Sequence, residues 1–97
     1  MWQPISGFQY KRISGTVAGT TVIKASSTVF HSVLLGQNKT GTVTFYDNAS
    51  GTSAASKLID VDNTVGTQTN SITFNAQMKK GLVAETGGTT DMLVIYQ

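Results

Sequence analysis

Short runs of β-branched and aromatic residues, separated by clusters of Gly, Asn, Asp and Ser, recur along the chain from about residue 8 onwards. Runs of about four to eight residues with turn residues between them are typical of β-strands. No run shows a convincing apolar stripe at the helical period, and only residues 53–59 suggest a turn or two of helix. About eight short strands predict an all-β, antiparallel two-sheet β-sandwich with either immunoglobulin-like or jelly-roll connectivity.

The predicted strands follow from these runs and from the turn residues that bound them. They cover residues 8–14, 20–25, 28–35, 41–47, 57–62, 69–76, 80–85 and 91–96. Residues 86–90 join the last two strands, and Gly87 and Gly88 can adopt the positive φ that tight hairpin turns require. The clearest local prediction is therefore a hairpin between residues 80–85 and residues 91–96.

The third predicted strand, residues 28–35, is apolar on both sides. One predicted face holds Val29, His31, Val33 and Leu35, and the other holds Phe30, Ser32 and Leu34. Strands that are apolar on both faces are usually buried on both faces. The pattern therefore predicts a central strand that is covered on each side.

Size and composition limit the class of protein. With 97 residues the chain has room for one domain, whose modest core would gain stability from association with other copies. The seven basic residues are scattered and the net charge is only +2, which argues against a nucleic-acid-binding surface. The sequence contains neither cysteine nor the apolar run of about 20 residues that a membrane helix needs. Its N-terminus lacks the pattern of a secretory signal, so we expect synthesis in the cytoplasm without secretion, unless a leader was removed.

Catalytic chemistry finds little support in the residue types. His31 is the only histidine, so a histidine base or a multi-histidine metal site would rest on it alone. No serine lies in a Gly-x-Ser-x-Gly elbow, and no glycine-rich loop opens a helix that would cradle phosphate. We therefore expect no enzyme activity and no cofactor, with His31 as a structural or interface residue.

Calcium binding is an alternative role for the acidic residues. Asp60 and Asp62 lie two positions apart on a predicted strand, so their carboxylates would point to the same side about 7 Å apart. Further candidate ligands are Asp47, Asn48 and Asn63. Two solvated carboxylates on an exposed strand would show the same spacing. We expect the exposed strand and no metal, and keep the ion as the alternative.

The first seven residues differ from the rest of the chain. Pro4 and Gly7 interrupt regular structure, so residues 1–7 are predicted to form an N-terminal arm ahead of a single domain at residues 8–97. Trp2 can hardly reach so small a core, and aromatic side chains are enriched at the centres of interfaces. We expect the arm to pack on a neighbouring subunit; fraying, or folding back on its own domain, is the alternative. The predicted interface residues are Trp2, Pro4, Ile5, Phe8 and Tyr10.

Aromatic rings suggest a second possible function. Trp2, Tyr10, Tyr46 and Tyr96 would form a stacking platform for a sugar if they were exposed together, because aromatic rings present an apolar face beside a polar group. A carbohydrate-binding or adhesin-like module is therefore the alternative function. Packing in the core or at an interface is the simpler expectation for the same four residues.

Five stretches follow one another in a recognisable order from residue 11 to residue 97. They are KRISGTVAGTTVIKASSTVFHSVLLGQ, GTVTFYDNASGT, KLIDVD, ITFNAQMKKGLVAETGG and DMLVIYQ. Together they resemble the small β-sandwich decoration (cement) proteins, and related head or tail accessory proteins, of tailed bacteriophages. The resemblance implies a virion protein that forms a homo-oligomer, with a trimer favoured, and clamps adjacent subunits of the major capsid protein. It carries no chemical motif and assigns no functional residue.

Overall fold

A computed structural model describes residues 7–15, 18–36, 42–62 and 70–97. Most of these residues lie in eight antiparallel strands, which confirms the prediction of an all-β fold. The strands are β1 (Gln9–Gly15), β2 (Gly19–Lys24), β3 (Thr28–Leu35), β4 (Thr42–Tyr46), β5 (Lys57–Asp62), β6 (Asn70–Met78), β7 (Leu82–Thr86) and β8 (Thr90–Tyr96). One turn of 3-10 helix, Ala54–Ser56, precedes β5 within the segment where a short helix was suggested.

The strands form two four-stranded sheets that face each other. Sheet A has the order β1-β8-β3-β6, and sheet B has the order β2-β7-β4-β5. Apart from β4 and β5, which follow each other in sequence and pair within sheet B, successive described strands alternate between the two sheets. Two interlocked Greek keys of this kind define a jelly roll. The structure thus selects jelly-roll over immunoglobulin-like connectivity.

The prediction of a hairpin between the last two strands is wrong. β7 pairs with β2 and β4 in sheet B, whereas β8 pairs with β1 and β3 in sheet A, so the connection crosses from one sheet to the other. Among the described glycines, positive φ occurs at Gly7 and Gly81 and not at Gly87 or Gly88. A glycine pair permits a tight turn, but the pairing is decided by which partners bury the apolar faces of the two strands.

Three phenylalanines tie the two sheets together across the core. Phe30 of β3 and Phe45 of β4 are fully buried, and their ring centroids lie 4.8 Å apart. Phe74 of β6 stacks on Phe30 at 4.4 Å and meets Phe45 at 6.0 Å, but it is only half-buried because β6 is an edge strand. Aromatic contacts at these distances add to the energy of burial. The rest of the core is aliphatic, with Val33, Leu35, Val43, Leu82, Met92 and Val94 among its members.

A bulge in β3 changes which side chains enter the core. The register against β8 shifts between Phe30 and Ser32, so that Phe30 and Val33 both point inwards and the predicted alternation fails. On the other side β6 adapts with Asn75 at a φ of 50°, in the region that few side chains adopt. β3 is central in sheet A, as predicted, but Leu34 is 37% exposed, so its outer side is not covered within the described chain.

Candidate functional site

The side of sheet A that faces away from the core carries an apolar patch beside the exposed Ser71 and Thr73 of β6. Along β8, buried and half-buried residues alternate, which places the half-buried Leu93 and Ile95 on this side. The strand register aligns Leu93 with Leu34 of β3 and Arg12 of β1, and it aligns Ile95 with Tyr10. We call the surface formed by Tyr10, Arg12, Leu34, Leu93 and Ile95 the outer face of sheet A.

This face is open and slightly concave. Tyr10 is 45% exposed, and a shallow cleft of about 280 Å³ lies beside Leu34 and Leu93. Arg12 and Asp91 line the same cleft, and the guanidinium donates from Nε and Nη2 to Asp91 Oδ1 at 3.2 Å each. Both charged side chains are well exposed, so their ion pair contributes little to stability. The face therefore offers a partner apolar contacts with a polar margin.

A ring contact marks the end of this face where β1 begins. Phe8 is half-buried against His31 of β3, with ring centroids 4.8 Å apart and planes tilted by 59°. Because β8 lies between β1 and β3, the Phe8 ring reaches His31 across the end of β8. His31 Nδ1 also lies 2.8 Å from Ser32 Oγ. These contacts agree with a structural or interface role for His31.

The structure describes two of the five predicted interface residues, Phe8 and Tyr10. Phe8 and Tyr10 lie two positions apart along the strand direction and so point to the same side of sheet A. Trp2, Pro4 and Ile5 lie outside the described residues. Leu34, Leu93 and Ile95 were not among the predicted interface residues. For Leu93 and Ile95 the signal was the run of apolar residues at 92–96, since a strand that is apolar at every position has an apolar outer side as well.

The corresponding side of sheet B carries polar side chains that bond one another, next to the exposed Val22 of β2. Tyr46 Oη donates to Glu85 Oε1 at 2.9 Å, and Thr44 Oγ1 donates to Asp60 Oδ1 at 2.6 Å. The Lys57 ammonium forms an ion pair with the second oxygen of Asp60. We call the surface formed by Thr44, Tyr46, Lys57, Asp60 and Glu85 the outer face of sheet B.

The same bonds shift three pKa values on this face. The hydrogen bond to Glu85 is the largest cause that raises the pKa of Tyr46. The bond from Lys57, followed by the bond from Thr44, lowers the pKa of Asp60, and Asp60 in turn raises the pKa of Lys57. Each pKa shift favours the protonation state in which the group forms its hydrogen bond or ion pair. At neutral pH the polar groups of this face are therefore fixed by one another.

A shallow groove of about 510 Å³ runs along the outer face of sheet B. Its polar lining includes Thr20, Thr42, Thr44 and Glu85. Threonine hydroxyls both donate and accept hydrogen bonds and a carboxylate accepts them, which suits a hydroxylated ligand such as a sugar. The groove is the structural basis for the alternative function.

The predicted aromatic platform is not formed by the tyrosines that the structure describes. Tyr10 lies on the outer face of sheet A, Tyr46 lies on the outer face of sheet B, and Tyr96 belongs to the core. Tyr46 and Tyr96 are only 7% and 8% exposed, so neither offers a ring face to a sugar. Trp2, the fourth predicted member, lies outside the described residues.

Asp47 has a structural role at the end of β4. Its carboxylate accepts the backbone N–H groups of Lys79, Lys80 and Gly81 at 3.1, 2.8 and 3.3 Å. Partial burial acts to raise the pKa of Asp47, but the three backbone bonds outweigh it and lower the pKa. A Cβ on Gly81 would lie 2.4 Å from the Lys24 carbonyl oxygen, so this tightly packed turn requires glycine. Asp47 thereby holds the turn between the two sheets.

The candidate calcium ligands are engaged elsewhere wherever their side chains are described. Asp47 binds backbone amides, Asp60 binds Lys57 and Thr44, and Asn48 Oδ1 accepts the N–H groups of residues 50 and 51. Asn63 and the side chain of Asp62 lie outside the described part. Within that part, no group of three or more His, Asp or Glu side chains is arranged to hold a metal ion.

Comparisons with known proteins reveal no relative. Neither a family model, nor a curated protein, nor a solved structure matches this chain. Among the residues that the structure describes, no helix has the length and apolar character needed to cross a membrane. Function is therefore inferred from the topology and from the contrast between the two outer faces.

Proposed function

We propose that the chain is a structural protein of a virus particle, namely a capsid decoration (cement) protein that binds adjacent subunits and stabilises the shell as a homo-oligomer. The observation that carries the proposal is the outer face of sheet A. Its side chains Tyr10, Leu34, Leu93 and Ile95 are exposed or half-exposed and adjacent. Contiguous apolar surfaces with a polar margin mark sites of protein association.

The fold supports this proposal without deciding it. Jelly rolls recur in viral capsid domains, but they also occur in lectins and cupins. The resemblance of the five stretches between residues 11 and 97 to phage decoration proteins favours the virion among these settings. The partner would then be the major capsid protein or another virion subunit.

An oligomer is part of the proposed mechanism. A small domain offers a limited area to each partner, and one such contact gives modest affinity. Three copies around a closed symmetry axis engage several capsid subunits at once, so that weak contacts add up to tight binding. The outer face of sheet A is proposed as the contact with a neighbouring subunit in this assembly.

The proposal is tested on particles that lack this protein. Purified chain is added, the particles are sedimented, and the temperature at which they release their genome is measured. We expect saturable binding at a fixed ratio to the capsid subunit and a higher release temperature. Absent or unsaturable binding contradicts the proposal.

A matched pair of variants tests the face. Leu34→Lys places a charge on the outer face of sheet A, and Val22→Lys places the same charge at a residue with 41% exposure on sheet B. We expect Leu34→Lys to weaken particle binding at least about tenfold, which corresponds to about 1.4 kcal/mol. Val22→Lys should bind as the unaltered protein does. Equal binding by both variants contradicts the assignment of the face.

The groove on sheet B favours a second candidate function, the carbohydrate-binding or adhesin-like module of a tail or fibre. Glu85 would accept hydrogen bonds from sugar hydroxyls, together with Thr20 and Thr42. A glycan array with the unaltered chain and with Glu85→Ala tests it. Binding that Glu85→Ala abolishes supports this function, and an array without binding removes it.

A further inference from the structure

We infer that the outer face of sheet A is covered by the N-terminal arm, residues 1–7, of a neighbouring copy of the same chain. The inference rests on the proposed function, because it takes this face as a contact between subunits. It adds to that function the identity of the segment that covers the face. Each copy would donate one arm and accept another. Such head-to-tail exchange closes into a ring when the rotation between copies permits, as in a trimer.

The described end of the arm lies beside the face. Gly7 has a φ of 87°, a left-handed conformation that favours glycine, and a Cβ there would lie 2.7 Å from Gln97 Nε2. The next residue, Phe8, packs on His31 at the end of the same face. The chain therefore leaves sheet A at the end of β1, with a bend, next to the apolar surface.

The length and composition of the arm suit the face. Residues 1–6 carry no charged side chain, and Trp2 and Ile5 are of the kinds that anchor interfaces. Six extended residues reach about 20 Å. The seven residues of β8 extend about 23 Å at the ordinary strand rise, so one arm is long enough to follow most of the face.

The place where the arm begins favours the arm of a neighbour over the chain's own arm. Residue 7 lies beyond the end of β1, so an arm that covered its own face would have to reverse direction there and pass the Phe8–His31 contact at that end of the face. The arm of a neighbouring copy can lie along the face without that reversal.

Trp2 provides the measurement, because it is the only tryptophan in the chain. We expect blue-shifted Trp2 emission at concentrations where the oligomer forms, and a red shift on dilution as the arm is released into water. Leu34→Lys should show the red-shifted emission at every concentration, whereas Val22→Lys should behave as the unaltered chain. Circular dichroism and a thermal melt verify that both variants are folded. Red-shifted emission from the folded, oligomeric, unaltered chain overturns the inference.

A mixing experiment separates the arm of a neighbour from the chain's own arm. The Leu34→Lys chain keeps the fluorescent Trp2 in its arm, but its outer face of sheet A carries a charge. The Trp2→Ala chain, added in excess, has an unaltered outer face but no tryptophan. We expect the emission of the mixture to shift to the blue, because the reporting arm binds the intact face of the other variant. No shift on mixing overturns the inference. Blue-shifted emission from a species that light scattering identifies as a monomer also overturns the inference, because only the chain's own arm can then bury Trp2.

These outcomes are independent of particle binding. If Trp2 reports no exchange while the protein still binds and stabilises particles, only the arm assignment fails. If the arms exchange but particles are not bound, the exchange stands as self-association and the proposed function fails.

Discussion

The two outer faces of this sandwich are each built from four strands, and they differ in which groups their side chains contact. On sheet B, Tyr46 bonds Glu85, and Asp60 bonds both Thr44 and Lys57, so the polar groups pair within the face. On sheet A, Leu34 of the central strand β3 and Tyr10 of the edge strand β1 stand exposed on the same side. Apolar side chains also reach water on sheet B, as at Val22, but on sheet A they lie next to one another along β1, β8 and β3.

The contrast indicates which side of this jelly roll is the better candidate for a contact with a partner. Both sheets contribute buried side chains to one core. An antiparallel sheet can leave one side in water. The polar groups of sheet B that bond one another gain little from a partner, whereas the exposed apolar side chains of sheet A gain from burial.

The largest expected effect on stability tests whether sheets A and B share one core. Phe45→Ala should lower the free energy of unfolding by about 3–5 kcal/mol, because it removes the ring that joins Phe30 and Phe74 of sheet A to sheet B. Phe74→Ala should cost clearly less, since that ring is half-buried at an edge strand. Urea unfolding measures both. Equal losses of unfolding free energy in the two variants would mean that a second molecule buries Phe74. The surface of sheet A that gains from a partner would then include its edge strand β6.

The next effect concerns the link between the sheets at Asp47. Asp47→Asn should lower the free energy of unfolding at pH 7 by about 1–2 kcal/mol, since charge-assisted bonds to three backbone amides are weakened. The pKa of Asp47 is lowered in the folded state. Its contribution is therefore complete above the unfolded pKa of about 3.9 and disappears as the pH falls through the folded pKa.

Urea unfolding of both proteins at several pH values checks this sign. The two stability curves should lie apart at neutral pH and converge in acid, where the carboxyl group is protonated. A difference that stays constant down to about pH 2 would show that the charge of Asp47 is irrelevant to the turn.

Most of the fold could be predicted because strand formation is local in this chain. β3 and β5 begin and end where the sequence pattern places them, since turn residues bound them on both sides. Pairing is not local. Alternation between sheets depends on which faces are buried together, and a glycine pair at residues 87–88 gives no information about that.

The candidate site was harder to predict for a similar reason. Tyr10 could be found from its residue type and its position near the arm, but Leu34 was predicted to lie on a covered face of a central strand. The bulge at His31 decides the side of Leu34, because it turns Val33 inwards and Leu34 outwards. A one-residue irregularity of this kind leaves no clear mark in the sequence pattern.

A smaller effect tests the polar side of the comparison. The pKa of Tyr46 is raised, chiefly by its bond to Glu85. The stabilising effect of this bond should therefore be complete below the ordinary tyrosine pKa of about 10 and be lost as the pH rises through the folded pKa. Tyr46→Phe and the unaltered chain should differ in melting temperature near neutral pH and converge in alkali. Glu85→Gln removes the charge but keeps an acceptor oxygen, so an absorbance titration should show tyrosine ionising at lower pH in that variant.

The smallest effect sharpens the apolar side. Arg12 and Asp91 form the ion pair at the margin of the outer face of sheet A, and both side chains are well exposed, so Arg12→Gln should change the free energy of unfolding by at most about 0.5 kcal/mol. Urea unfolding at low and at high salt measures this, and the small difference should shrink further as salt screens the pair. A cost above about 1 kcal/mol that persists in high salt would mean that sheet A, like sheet B, is stabilised by polar contacts within its own face. A negligible cost leaves burial against a partner as the main source of free energy that this face can still gain.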